Sequence, residues 1–233
     1  MTLAALRSAF LLYAVLGGAC FLTYRSLAAQ PAPERRERHA PLGPSRGIVV
    51  RLAALFSVDS FAGGLAVQSL LALWLFERFG LSLAEAGLFF FWSGVLSAFS
   101  FPAAAWLAGR IGLVNTMVFT HIPSSLCLIA ATLAPSAEVA LGLLLLRAAL
   151  SQMDVPTRSS YVMAVVTPAE RTAAAGFTAV PRSLAAAASP AIAGAIFAAG
   201  YQEVPLIACG VLKILYDFTL LAACRHVKPP EEL

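Results

Sequence analysis

Charged side chains inside long apolar runs are the residues of this sequence with chemistry to offer. Arg147, Ser151, Asp154 and Arg158 recur at i, i+4, i+7 and i+11 within "LLLLRAALSQMDVPTRSS". That spacing places all four on one face of a helix, with Leu and Ala on the others. A charge held at mid-bilayer costs several kcal/mol and marks either a pairing or a path. The stripe must therefore face other helices or a water-filled route. Two readings fit: a pathway for a solute or a proton, and an ion-pair set that locks helices together. Pro156 can end or kink the helix here, because it brings no N–H to the ladder.

Other polar groups fall in neighbouring runs. Arg182 shares a face with Thr178 and Ser189, between Pro181 and Pro190. It can receive an anionic group, or neutralise Asp59 or Asp154. Asp59 precedes Gly63 and Gly64, which permit a bend or a close helix approach. It reads as a proton carrier or as a salt-bridge partner at a gate, while Ser57, Gly64 and Gln68 share a different face. Lys213 and Asp217 are four residues apart and are expected to pair within their own helix. Removing both together should then be mild, whereas losing Asp154 or Arg147 should be severe. His121, two residues before Pro123, reads as packing or a hinge.

The elements that carry these groups are long and apolar. The runs begin near Ser8, Leu52, Ala86, Val114, Val139, Ala173 and Val204. A helix crosses the hydrocarbon core with roughly 20 apolar residues, so about seven spans are expected. The chain is 60% hydrophobic and 12% charged, which no water-soluble core of this length could hide. Runs such as "GLLLL" and "GLFFFW" are continuous, so the spans are helices and not the alternating strands of a barrel. The reading is an all-α integral membrane protein, multi-pass in a plasma or inner membrane.

Basic residues set its orientation. Alternate gaps carry Arg25, Arg35, Arg36, Arg38, Arg46 and Arg51, then Arg110, then Arg158 and Arg171, then Arg225 and Lys228. The remaining gaps hold only Arg78. The positive-inside bias puts the N-terminus outside and the C-terminus in the cytoplasm. It also accounts for a sequence pI near 9.1 without a nucleic-acid partner. The expected organisation is a lone helix over 1–25, a basic Pro-rich cytoplasmic linker over 26–50, a six-helix bundle over 51–225 and a tail over 226–233. The apolar "YVMAVV" could lie on the membrane surface or extend the fifth span. A cleaved signal peptide at the first span would put the basic linker outside, against the charge pattern.

This layout resembles the major facilitator superfamily. The linker is similar to that family's central loop, and the spans around it to helices six to twelve. The turn "PAAAWLAGRIG" is similar to the family's Gly-x-x-x-Asp-Arg-x-Gly-Arg motif. Arg110 and Gly112 match it, and Gly109 stands where the motif has Asp. The stretch "RAALSQMDVPTRSSYVMAVVTPAERTAAAG" also looks like this family. The resemblance implies secondary active transport of a small solute by alternating access, driven by a gradient. It implies a substrate path at Asp59, Gln68, Arg147, Ser151, Asp154 and Arg182, with gate or motif roles for Arg110, Gly112 and Arg158. It also implies that an N-terminal half completes the cavity, and that the lipid bilayer is the other partner. No cofactor, metal site or catalytic residue is implied. Cys20, Cys127, Cys209 and Cys224 lack metal or disulfide spacing and read as packing residues.

Other classes fit less. A seven-helix receptor or photoreceptor matches the count and places Lys213 in the last span, but not the long basic linker or the buried Arg147 and Arg182. An intramembrane enzyme would need a nucleophile with its base, or paired carboxylates, at convincing spacing. No phosphate-binding Gly-rich loop points to ATP as the driving force. A non-transporting membrane subunit is the remaining alternative.

Overall fold

The computed structural model describes residues 3–26 and 41–224. The chain divides into two units, Met1–Arg38 and His39–Leu233. The first holds α1 (Leu3–Ser26), a single helix of 24 residues. The second holds α2 (Arg46–Leu65), α3 (Gln68–Phe79), α4 (Leu83–Ile111), α5 (Leu113–Thr132), α6 (Ala137–Ser151), α7 (Asp154–Val165), α8 (Arg171–Ala198) and α9 (Val204–Cys224). No strand occurs among the described residues. The basic residues at 27–40 and 225–233, on which the expected orientation leans, lie outside them.

Six helical stretches of the second unit are long and apolar enough to cross a bilayer. They are Arg46–Phe79, Leu83–Ile111, Leu113–Thr132, Ala137–Val165, Pro168–Ala198 and Val204–Cys224. Two of these carry a break. The first is interrupted at Ala66–Val67, just after Gly63 and Gly64, and the fourth at Gln152–Met153. Pro156 explains the second break: four residues before it, Gln152 has a carbonyl that Pro156 cannot bond and that its ring would crowd. The first five residues of "YVMAVV" close α7, at the end of the apolar stretch Ala137–Val165. Helix α2 starts at Arg46, so residues 46–50 belong to the helix and not to the linker as expected.

Local sequence explains the remaining ends. Ser82 and Glu85 form a reciprocal capping box at the start of α4. Ser136 caps α6 by accepting from Val139 N–H. Between α4 and α5 a single residue makes the turn: Gly112, at φ 86°, in the left-handed region that glycine adopts without penalty.

The bundle has two apolar cores with a polar layer between them. One core joins Leu65, Trp74, Phe89, Leu128, Leu144 and Leu206. The other joins Val49, Phe56, Met117, Tyr161, Tyr216 and Leu220. Along α2, α5 and α9 the sequence passes from one core to the other through Asp59, His121 and Lys213. Large apolar side chains such as Phe91, Phe99, Trp106, Phe119, Leu126 and Leu184 are exposed on the outside of the bundle, where lipid would cover them.

Small residues let helices touch. A Cβ at Gly64 on α2 would lie 1.8 Å from Ser189 Oγ and 3.0 Å from the Ala186 carbonyl on α8. A Cβ at Gly210 on α9 would lie 2.5 Å from Ile129 Cγ1 and 3.0 Å from the Ser125 carbonyl on α5. Gly64→Ala is expected to destabilise the bundle by about 1–3 kcal/mol through overpacking. Ser189→Ala should rescue it only in part, because the Ala186 carbonyl remains 3.0 Å away. Thermal unfolding in detergent measures both; a Gly64→Ala melt equal to the parent would show that α2 and α8 can part.

Candidate functional site

Asp59 is the centre of the polar layer. On α2 it is buried, and each of its oxygens takes one cation. Arg158 Nη2 on α7 donates to Oδ2 at 2.7 Å, and Lys213 Nζ on α9 donates to Oδ1 at 2.7 Å. Asp154 opens α7 and pairs with Arg158 one turn later. The Arg158 guanidinium also lies over the Phe56 ring, 5.0 Å from its centroid. Charges this deep persist only when paired, because removing them from water costs several kcal/mol each.

The layer continues through His121 on α5. Lys213 Nζ is 3.1 Å from His121 Nε2, and His121 Nδ1 is 3.0 and 3.1 Å from the two Asp217 oxygens. An ammonium has no lone pair, so Nε2 must accept and the ring hydrogen must sit on Nδ1, donating to Asp217. The imidazole is neutral in this arrangement. Three carboxylates then face two cations, leaving the layer one negative charge in excess. A proton on Nε2 would balance it, and Asp59 Oδ1 is already 3.7 Å from that atom. The Tyr216 ring stands edge-on to His121, with centroids 6.1 Å apart.

A polar cavity of about 330 Å³ adjoins this layer. It opens among α2, α3, α4 and α6, at both helix breaks. Gln68, Arg147 and Ser151 line it, as do Ser93 and Lys213. A separate cavity of about 150 Å³ lies among α2, α7 and α8, lined by Arg158, Thr178 and Arg182.

The structure thus divides the expected residues. Asp59, Asp154 and Arg158 meet in the charged layer. Gln68, Arg147 and Ser151 meet in the larger cavity. The single stripe expected for Arg147, Ser151, Asp154 and Arg158 is split, because the break at Gln152–Met153 turns its halves to different neighbours. Arg182 neutralises neither Asp59 nor Asp154; no described acid pairs with it. Ser57 turns back on its own helix, bonding the Ala53 carbonyl. Arg110 rests on the Trp106 ring, 4.0 Å from its centroid, and pairs with no described acid. Gly112 serves the turn.

Two expectations are corrected here. Lys213 and Asp217 do not pair with each other; they reach Asp59 and His121 respectively. His121 is not mere packing but joins both. The spacing of Lys213 and Asp217 did show that they share a face, yet not which partners that face meets. Glu170 was not singled out at all. It is buried and accepts from Gly43 N–H, from Ser45 Oγ at 2.6 Å and from Thr167 Oγ1 at 2.7 Å. It ties the start of α2 to the α7–α8 connection. In sequence it sits among ordinary turn residues, so only the fold reveals it.

Six spanning helices, a buried charged layer and a polar cavity at two broken helices describe a membrane-embedded carrier and not a soluble or surface-bound protein. The family model for the Major Facilitator Superfamily matches residues 52–233. The chain belongs to that superfamily and is a multi-pass membrane transporter of its type. Members of the family are transporters, not enzymes. No curated protein matches the chain.

Proposed function

We propose that this protein moves a small solute by alternating access, driven by a proton gradient, with the charged layer as the coupling device. The observation that carries this is His121 placed between Lys213 and Asp217, in a layer one positive charge short of balance. Imidazole is the side chain whose ordinary titration spans physiological pH. A proton arriving at Nε2 ends its ability to accept from Lys213. The new N–H turns to Asp59, and Lys213 is released toward the cavity whose wall it forms. Proton occupancy thereby sets the charge presented to a solute. The groups facing His121 are Asp217, Lys213 and Tyr216 on α9, Asp59 on α2 and, through Asp59, Arg158 on α7. Rocking of one six-helix unit against a second would carry the cavity from one side to the other. That second unit, in the same polypeptide, in another or in a second copy, is the remaining wall of the path.

Lys213 itself supplies the test. Amine labelling of the purified protein, read by mass spectrometry on the Lys213 peptide, follows its release. Labelling is compared between about pH 8 and pH 6. Labelling should fall much less with His121 present than in His121→Gln, which keeps a hydrogen bond but takes no proton. Parallel curves for the two proteins would sink proton coupling at this residue.

A further inference from the structure

We propose that the larger cavity takes a small organic anion with an aromatic or apolar body. This rests on the transporter reading above and names the class of solute for its site. The first reason is Arg147. It lines the cavity, and no described carboxylate pairs with its guanidinium. The nearby acids of the bundle interior are engaged elsewhere: Asp59 with Arg158 and Lys213, Asp154 with Arg158, and Asp217 with His121. A guanidinium at this depth without a counter-charge is costly, and an anion in the cavity relieves that cost.

The rest of the wall agrees. No described Asp or Glu lines this cavity, and Lys213 at its wall is already paired with Asp59. Helix α3 begins there at Gln68 with no side-chain cap. The N–H groups of its first turn have no partner within the helix, and the positive end of its dipole favours an anion. Ser93 Oγ, at the same wall, is buried without a hydrogen-bond partner. Opposite chemistry comes from Phe89 and Phe90, whose rings meet edge-on with centroids 5.0 Å apart, together with Leu71 and Leu144. A volume of about 330 Å³ suits a carboxylate on a single ring or a short chain, at the small end of ligand sites.

The experiment is calorimetric titration of the purified full chain in lipid nanodiscs with benzoate, benzamide and benzylamine. These share a ring and differ in charge. Benzoate should bind about tenfold or more tighter than either of the others, as one charge-assisted bidentate contact warrants. Arg147→Gln should remove that advantage and Arg147→Lys should keep part of it. Thermal melts without ligand serve as a second readout. Because Arg147 lacks an acid partner, Arg147→Gln should melt no lower than the parent. A lower melt would show a structural partner and overturn the proposal. So would a preference for benzylamine, equal affinity for all three, no binding of any, or an anion preference that survives Arg147→Gln. Binding is read here without transport or a proton, so this result and that of Lys213 labelling can fail separately.

Discussion

Asp59→Asn is expected to be the most damaging single substitution in the chain. The change is nearly isosteric, so packing is preserved and the loss is electrostatic. Among the described residues, Lys213 would lose its only paired carboxylate and Arg158 one of two. An amide offers a single acceptor oxygen and turns its N–H groups on the other cation. Leaving a buried charge without its partner costs about 3–5 kcal/mol, a large share of the stability of most domains. Expression and detergent melting should both collapse. Adding Lys213→Met to Asp59→Asn should recover much of the loss, since it removes the orphaned charge. That recovery is the signature of a direct pair in a double-mutant cycle. An Asp59→Asn protein that melts with the parent would mean that the layer is not holding α2 to α7 and α9.

Lys213→Leu combined with Asp217→Ala should be severe, which reverses the expectation from sequence. Two charges that paired with each other could be deleted together at little cost. These two serve different partners. Without Lys213, Asp59 keeps a single cation. Without Asp217, the His121 Nδ1–H is buried and unsatisfied, a loss of about 1–3 kcal/mol by itself. The two losses share His121 and so should couple rather than add, but the double variant should still melt below either single one. Arg147→Ala, expected from the helical stripe to be severe, should be milder for stability than this pair. Melts of the four proteins decide the order. A double variant no worse than Asp217→Ala alone would restore the intrahelical pair.

The spans and the helical class were legible because each depends on local composition. A continuous apolar run of bilayer length has few folded alternatives. The break at Gln152–Met153 was legible through Pro156, whereas the break at Ala66–Val67 had only Gly63 and Gly64 to mark it. Side-chain pairing was legible only within a helix. Spacing along one helix gave the face shared by Arg147, Ser151, Asp154 and Arg158, but missed the break that divides it. Asp59 and Lys213, and His121 and Asp217, meet across separations that leave no periodic trace. Their partners depend on which helices lie side by side, and hydropathy does not carry that. Glu170 was hidden for the same reason, its ligands lying on a segment far earlier in the chain.

The glycine contacts between helices have a mechanical meaning. Where Gly64 meets Ser189, α2 and α8 sit closer than any Cβ at that position would allow. The same holds for α9 and α5 at Gly210. Asp59 stands on one of these close pairs and Lys213 on the other, so their ion pair is the stitch that binds the two pairs into one body.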